Sequence, residues 1–264
     1  MTDRSFKLHW LLEYTGQYLR ENRTFVLAFA FLGVVQGLVL GLLIGVEMPL
    51  ITFAFPRQGP IYPMLSLVPN GPLVAHPLLG TFFGLNPALI TVYVVSAMLA
   101  IVAITLALAT AIWRSAPETD GWLPPGRRLL WLGVYVAVAA VASVPGLVAN
   151  APVSGWLAPI AVTLVVAYLV TRLFVVPVTI VRDGRGLPAA IRWSWTVCRN
   201  VLVTIAILGF ALLQYWFSGM PWIVVTNEST RLILATVFGT TVLGAAYTAM
   251  MCATYDLVPA AFRE

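Results

Sequence analysis

Long stretches of uncharged apolar residues constrain this chain more than any other feature of its sequence. No charged residue occurs between Asn86 and Trp113, or between Thr24 and Val46. About 20 apolar residues suffice for a helix to cross the roughly 30 Å hydrocarbon core of a bilayer. The whole chain follows this pattern, since 60% of its residues are hydrophobic and only 9% are charged, against about 25% charged in an ordinary soluble domain. The sequence therefore predicts an integral membrane protein.

The order of apolar runs and breaks predicts an all-α, polytopic membrane protein that forms one integral domain over residues 1–264. We expect six transmembrane helices, at about 24–50, 86–113, 129–147, 156–181, 200–217 and 231–254. Pro177 should kink the end of the fourth. The first apolar run is too long for the core of a signal peptide, so we expect it to be a retained span.

Residues 4–22 predict an amphipathic helix that lies in the membrane interface. Their apolar side chains recur at the spacing of one helix face, at Leu8, Leu11, Leu12, Thr15, Tyr18 and Leu19. Such a helix either anchors the chain to the membrane surface or docks on a partner protein, and anchoring is the favoured interpretation.

The stretch between Leu50 and Leu85 predicts an external loop. It is interrupted by prolines, which break helices, at Pro56, Pro60, Pro63, Pro69, Pro72 and Pro77. It is also unusually apolar, so we expect it to fold against the outer mouth of the bundle, as a cap or as a ligand lid.

The distribution of cationic side chains predicts the orientation of the chain. In a six-span arrangement with both termini cytoplasmic, only Arg57 and Arg231 fall on outer segments, and Arg172 lies near the inner end of the fourth span. The positive-inside rule assigns the arginine-rich side to the cytoplasm. That side carries Arg4, Lys7, Arg20, Arg23, Arg114, Arg127, Arg128, Arg182, Arg185, Arg192, Arg199 and Arg263.

Four glycines repeat at every fourth position of the first span, at Gly33, Gly37, Gly41 and Gly45. Without side chains they form a smooth groove along one helix face, and a second helix can approach such a groove closely. We therefore predict a helix-packing seam, with Gln36 beside it. Its partner is either another helix of this chain or a second copy.

The segment from Arg182 to Arg199 forms a charged elbow between the fourth and fifth spans. A second interfacial helix is predicted at residues 187–199, with Leu187, Ile191, Trp195 and Cys198 on its apolar face. Guanidinium groups at headgroup depth attract anionic lipid, so the predicted lipid-contacting residues are Arg182, Arg185, Arg192 and Arg199.

The sequence offers no constellation that predicts catalysis, a metal site or a bound cofactor. It has two histidines, His9 and His76, and two cysteines, Cys198 and Cys252, far apart in the chain and both expected in the reducing cytoplasm without a disulfide. It contains no HExxH helix, no CxxC pair, no GxSxG elbow and no Walker loop. The net charge of +5 is explained by cytoplasmic loops facing lipid rather than by nucleic-acid binding.

The elbow resembles a group of prokaryotic six-span membrane proteins that includes the membrane domain attached to some glycerophosphoryl diester phosphodiesterases. The matching residues are Val176-Pro177, Ile180-Val181, the run Ala189-Ala190-Ile191-Arg192-Trp193-Ser194-Trp195, Arg199-Asn200 and Tyr255-Asp256-Leu257. Trp193 stands where that group usually has a second arginine, and Val258-Pro259 stand where it usually has basic residues. The resemblance implies a multi-pass protein of a prokaryotic plasma membrane. It implies no activity, because the phosphodiesterase barrel is missing.

From these observations we expect a non-enzymatic membrane scaffold or accessory subunit that binds inner-leaflet lipid and either a membrane-protein partner or a second copy. The alternative is a permease-like protein for a lipid or another apolar solute. An enzyme that acts on lipids is the third and least favoured hypothesis, since residues suited to catalysis are lacking.

Overall fold

The computed structural model describes residues 8–48, 50–51, 76–77, 86–117, 119–142, 165, 167–199, 204–210 and 227–257. The helices within these ranges are α1 (Leu8–Glu21), α2 (Arg23–Gly45), α3 (Pro87–Arg114), α4 (Gly126–Ala142), α5 (Val176–Asp183), α6 (Leu187–Val197), α7 (Glu228–Gly239) and α8 (Ala245–Leu257). A π-helical turn, Thr240–Gly244, joins α7 to α8. Residues 167–173 and 204–210 are also helical.

The predicted all-helical class is confirmed, and three continuous helices are long and apolar enough to cross a membrane. They are Arg23–Gly45, Pro87–Arg114 and Ser229–Leu257. The outer faces of the first two remain apolar, with Leu27 and Leu38 of α2 and Met98 of α3 at least 60% exposed. Soluble monomers rarely expose contiguous apolar faces of this kind, so these helices are suited to a lipid environment.

The ends of the first span differ from the prediction. The predicted span continued to Leu50, whereas α2 ends at Gly45. Glu47 then adopts φ +55°, a left-handed conformation that a helix cannot continue through. The α3 helix is shifted by one residue from its predicted range.

The predicted fourth span is interrupted at Phe174 and Val175, where a turn separates the helical residues 167–173 from α5. Pro177 lies in the first turn of α5. Proline is favoured there because the first N–H groups of a helix have no intrahelical acceptor. The proline therefore begins a new short helix instead of kinking a continuous one.

The short helix α5 lies in the hydrophobic core of the bundle. Its residues from Val176 to Val181 are all buried, and it contacts α3, α4, α6 and α8. A helix that is apolar on every side is typical of a core position. Its burial brings Arg182, the next residue after this buried stretch, to the edge of the interior, where 9% of its side chain is exposed.

The N-terminal helix α1 lies against α8. Leu11 is fully buried in this contact, and Leu12, on the predicted apolar face, is 64% exposed. The described part of α1 is therefore docked on the helical bundle along one narrow stripe. Residues 1–7 lie outside the described residues.

Several sequence predictions fall largely outside the described residues. These are residues 143–147 of the third span, residues 156–164 and 166 of the fourth, most of the fifth span and nearly all of the proline-rich loop, whether as cap or as lid. Within that loop the structure describes one antiparallel pairing of Leu50–Ile51 with His76–Pro77.

Candidate functional site

A partly buried ion pair joins α5 to α8 at the end of the bundle that carries the elbow. Arg182 Nη1 donates to both carboxylate oxygens of Asp256, at 2.9 Å and 3.1 Å. The Arg182 side chain is 9% exposed and that of Asp256 is 27% exposed. One guanidinium nitrogen thus bridges both oxygens of the carboxylate, and hydrogen bonds between ionised groups are roughly twice as strong as neutral ones.

The second terminal nitrogen of Arg182 extends this pair to α1 and to the end of α3. It donates to Ser115 Oγ at 2.8 Å and to the Tyr18 hydroxyl oxygen at 3.2 Å. Tyr18 in turn donates its own proton to Asp256. These four residues, Tyr18, Ser115, Arg182 and Asp256, form what we call the Arg182 cluster.

The Tyr18 hydroxyl is held neutral by its surroundings. Burial raises the pKa of Tyr18 well above its usual value of 10.0, and its hydrogen bond to the Asp256 carboxylate acts in the same direction, while Arg182 opposes both. The Tyr18 ring also packs edge-on against Phe25, with centroids 6.0 Å apart. Tyr18 therefore serves as a neutral donor that fixes α1 on the bundle.

A second set of contacts beside the Arg182 cluster joins α8 to the elbow. Tyr255 donates a hydrogen bond to Asp183, and Asp183 also pairs with Arg185 Nε at 3.0 Å. Arg185 lies over the ring of Trp193, and Trp193 packs against Tyr255 at 5.4 Å between centroids. The charges of the turn are thus satisfied within the protein.

Arg128, at the start of α4, caps the C-terminal end of α5. Its Nη1 donates to the carbonyls of Val181 at 2.8 Å and Arg182 at 2.9 Å, which have no partner within the helix because α5 ends there. The chain leaves α5 through Gly184, whose φ is +68°. A Cβ atom at Gly184 would lie 2.9 Å from Arg128 Nε, so this turn combines a left-handed conformation with close packing.

The four predicted lipid-contacting arginines do not share one environment. The Arg182 side chain is only 9% exposed and is bound by groups of the same chain, so it does not fit the predicted contact with lipid. Arg185 is 28% exposed and is paired with Asp183. The side chains of Arg192 and Arg199 are exposed, and their contact with lipid stays a prediction.

The apolar face of the elbow helix also differs from the prediction. Trp195 is 39% exposed, whereas Trp193 is 8% exposed. Ala190 and Ser194 are fully buried, so the inward face runs through positions 190, 193, 194 and 197, the i, i+3, i+4, i+7 series. Of the four residues predicted on one apolar face, Leu187, Ile191 and Cys198 lie in or against the core, whereas Trp195 is exposed.

The glycine seam of α2 faces α7 of the same chain. A Cβ atom at Gly33 would lie 2.5 Å from the carbonyl oxygen of Val237, and one at Gly37 would lie 2.6 Å from a methyl group of Val237. A Cβ atom at Gly41 would lie 3.4 Å from the terminal methyl group of Ile233, and one at Gly45 would have nothing within 4 Å. The two helices are therefore closest at Gly33 and Gly37.

A hydrogen bond beside the seam involves the predicted neighbour Gln36. Thr240, in the π-helical turn, donates to Gln36 Oε1 at 2.7 Å, and both residues are buried. In a membrane such a contact adds to the close packing that small residues allow.

Neither cysteine is arranged for chemistry. Cys198 and Cys252 are free and buried. Burial raises the pKa of Cys198 to about 11, so its thiol stays protonated at neutral pH and is a poor nucleophile. Among the residues that the structure describes, no group of three His, Cys, Asp or Glu side chains could hold a metal ion.

Sequence reasoning singled out Arg182 and the Tyr255-Asp256-Leu257 motif separately, and did not connect them. It missed Ser115 and assigned Tyr18 only to the apolar face of α1. The available signal was the scarcity of charge: an acid and an arginine, each at the end of an apolar run, are expected to pair where burial is expensive.

Comparisons with known proteins add no further constraint. No family model, no curated protein and no solved structure matches this chain.

Proposed function

We propose that this protein is a six-span membrane scaffold or accessory subunit without enzymatic activity, with both termini in the cytoplasm. The proposal keeps the predicted topology, in which the helical residues 167–173 and 204–210 belong to the fourth and fifth spans. The excess of arginine on one side supports the orientation. On the same basis we propose a place in a prokaryotic plasma membrane and a distant relation to the six-span group named above.

The Arg182 cluster is the observation that carries the proposed function. It links α1, the end of α3, α5 and α8 through one guanidinium. Both terminal nitrogens of Arg182 are used by this chain, and Asp256 accepts from Arg182 and Tyr18. Breaking one partner of a buried ion pair costs about 3–5 kcal/mol, so the cytoplasmic end is suited to a fixed platform.

The same argument disfavours a transport cycle. Alternating access requires the two sides of a bundle to open in turn. Opening the cytoplasmic side between α1, α5 and α8 would separate Arg182 from Asp256 and leave each charge without its counter-charge. A scaffold does not need to break this ion pair, because its function requires no opening of the bundle.

One set of contacts favours the alternative of a permease-like protein. The span Ser229–Leu257 contains the π-helical turn Thr240–Gly244, and π turns are frequent at functional sites. Thr236, Thr240 and Thr248 are buried along it, and within the described part of the chain the Thr248 hydroxyl makes no hydrogen bond. A polar seam inside a span is a feature that a solute path would use.

The two functions are separated by measuring transport and assembly on the same preparation. A scaffold should form a complex of fixed stoichiometry in mild detergent, purified from its own membrane, and should leave the permeability of liposomes to lipid and apolar solutes unchanged. Protein-dependent transfer of lipid or solute, abolished by Thr248→Val, would instead support the permease.

Cysteine labelling tests the proposed topology. A cysteine placed at Arg127 or Arg20 should react with a membrane-impermeant maleimide only after the cytoplasmic side is opened. Labelling of these positions in sealed, right-side-out cells would overturn the orientation.

A further inference from the structure

We infer that a surface formed by Tyr168, Arg172, Trp195 and Arg199, which we call the Arg172 patch, binds the phosphate of an anionic phospholipid headgroup. The inference rests on the proposed membrane function and deepens it. It assigns specific lipid contact to a part of the fourth span and the elbow helix, and not to Arg182 or Arg185.

The Arg172 guanidinium is held in place by the protein but keeps free donors. Its Nη1 donates to the carbonyl of Cys198 at 2.7 Å, and its charge lies 4.9 Å from the centre of the Tyr168 ring. Ser194 Oγ donates to the Arg172 carbonyl at 2.7 Å, which fixes the backbone as well. A guanidinium has five N–H donors, and within the described residues Nη2 of Arg172 forms no hydrogen bond, while Nε is buried without a partner.

Two aromatic rings border this guanidinium on the surface. Tyr168 is 47% exposed and Trp195 is 39% exposed. Their rings meet edge to face, with centroids 5.6 Å apart. Tyrosine and tryptophan are favoured at the headgroup level of a bilayer, where one end of the ring is apolar and the other is wet.

The polarity along the helix matches the polarity of a lipid. Val165, Tyr168 and Arg172 follow the i, i+3, i+7 spacing of one helix face. Val165 is 58% exposed, so an exposed aliphatic residue, an interfacial ring and a cation succeed one another toward the predicted cytoplasmic end. An acyl chain, a glycerol backbone and a phosphate have the same order.

Charge complementarity selects an anionic headgroup. Arg199 directly follows Cys198, whose carbonyl Arg172 binds, and its side chain is exposed. The nearest acid of the elbow, Asp183, is already bound by Tyr255 and Arg185. The Arg172 guanidinium therefore lies beside the aromatic rings, with an exposed arginine one residue beyond its carbonyl partner, and arginine binds phosphate oxygens with a geometry suited to them.

The test measures lipid retention by the purified full-length chain. The protein is inserted into nanodiscs of phosphatidylglycerol and phosphatidylcholine with equal acyl chains, released into detergent and examined by native mass spectrometry. We expect wild type to retain phosphatidylglycerol in preference to phosphatidylcholine. Each of Arg172→Gln and Arg199→Gln should lower that preference about fivefold, the effect of one cation near an anionic surface.

Arg20→Gln is the matched control, because Arg20 is an exposed arginine on α1 and lies outside the patch. It should leave the preference unchanged. Arg172→Gln removes a hydrogen bond to the Cys198 carbonyl and could affect folding. Arg199→Gln does not have this effect, since the Arg199 side chain makes no hydrogen bond within the described residues. Tyr168→Leu, which removes the interfacial ring without changing charge, should lower retention as well.

Three results would overturn the inference. Equal retention of the two lipids by wild type would exclude a headgroup preference, and an equal loss in Arg20→Gln would show attraction to the whole charged surface. If the protein retains free glycerol phosphate as strongly as phosphatidylglycerol, the site binds a free phosphate compound and not a lipid headgroup. If alkaline carbonate releases the protein from membranes, the proposed membrane function is contradicted as well. If the protein stays inserted but shows no lipid preference, only this inference is contradicted.

Discussion

Arg182 and Asp256, 74 positions apart in the chain, form an ion pair between α5 and α8 in which one guanidinium nitrogen donates to both carboxylate oxygens. Each residue is the last but one of its helix. The pair therefore connects two features that the sequence presents as separate. It also explains why the elbow does not expose all of its arginines to lipid.

Removal of one member of this pair should destabilise the protein strongly. We expect Asp256→Asn to lower the free energy of unfolding by about 3–5 kcal/mol, because the Arg182 charge would stay buried without a counter-charge. Unfolding in mixed micelles, followed by circular dichroism, measures the change. Asp120→Asn, at an exposed acid of the turn before α4, should change stability by less than about 0.5 kcal/mol. Equal effects of the two variants would show that the pair contributes little.

The effect of a glycine-to-alanine substitution on stability should depend on its position along the glycine seam. Gly33→Ala places a methyl group against the carbonyl of Val237, a backbone atom that cannot move aside, so we expect a loss of about 1–3 kcal/mol. Gly45→Ala meets nothing within 4 Å and should be neutral or slightly stabilising. Melting temperatures in one detergent compare the two. A tolerated Gly33→Ala would show that α2 and α7 do not approach as closely as described.

The turn after α5 provides a second matched pair of glycines. Gly184→Ala forces a side chain into a left-handed conformation, which costs roughly 1–2 kcal/mol, and it also crowds Arg128. Gly186 has φ −65° and open space around its Cβ position, so Gly186→Ala should be harmless. Thermal unfolding monitored by tryptophan fluorescence distinguishes the two, and similar melting temperatures would contradict the assigned turn.

The Tyr18 contact should make stability depend on alkaline pH. The folded state raises the pKa of Tyr18 above 10.0, so folding favours the neutral phenol. This contribution is fully present below about pH 10, the pKa of the unfolded chain, and is lost as pH rises through the folded-state pKa. Wild type should therefore lose stability faster than Tyr18→Phe above pH 10. Parallel unfolding curves for the two proteins from pH 8 to pH 11 (roughly the window set by the tyrosine pKa) would exclude the effect.

The elbow shows where sequence reasoning stops. The helix at residues 187–199 could be predicted because its proline, apolar spacing and flanking charges are local, and α6 covers most of it. Which of the two tryptophans is buried could not be predicted, because Trp193 and Trp195 fit an amphipathic helix about equally well. Contact with Tyr255, 62 positions away from Trp193, decides which one is buried. Arg182 was misassigned for the same reason, since its partner lies on a distant helix.

The sequence by itself determined that this chain is helical and apolar enough for a membrane, because helix formation and partition into lipid depend on neighbouring residues and their composition. It also determined where close helix packing was available, through the spacing of Gly33 and Gly37. Only the tertiary structure decided which helix occupies that seam and which charges become buried. Those outcomes depend on which distant surfaces meet, and a buried charge is stable only where the fold brings a partner within hydrogen-bonding distance.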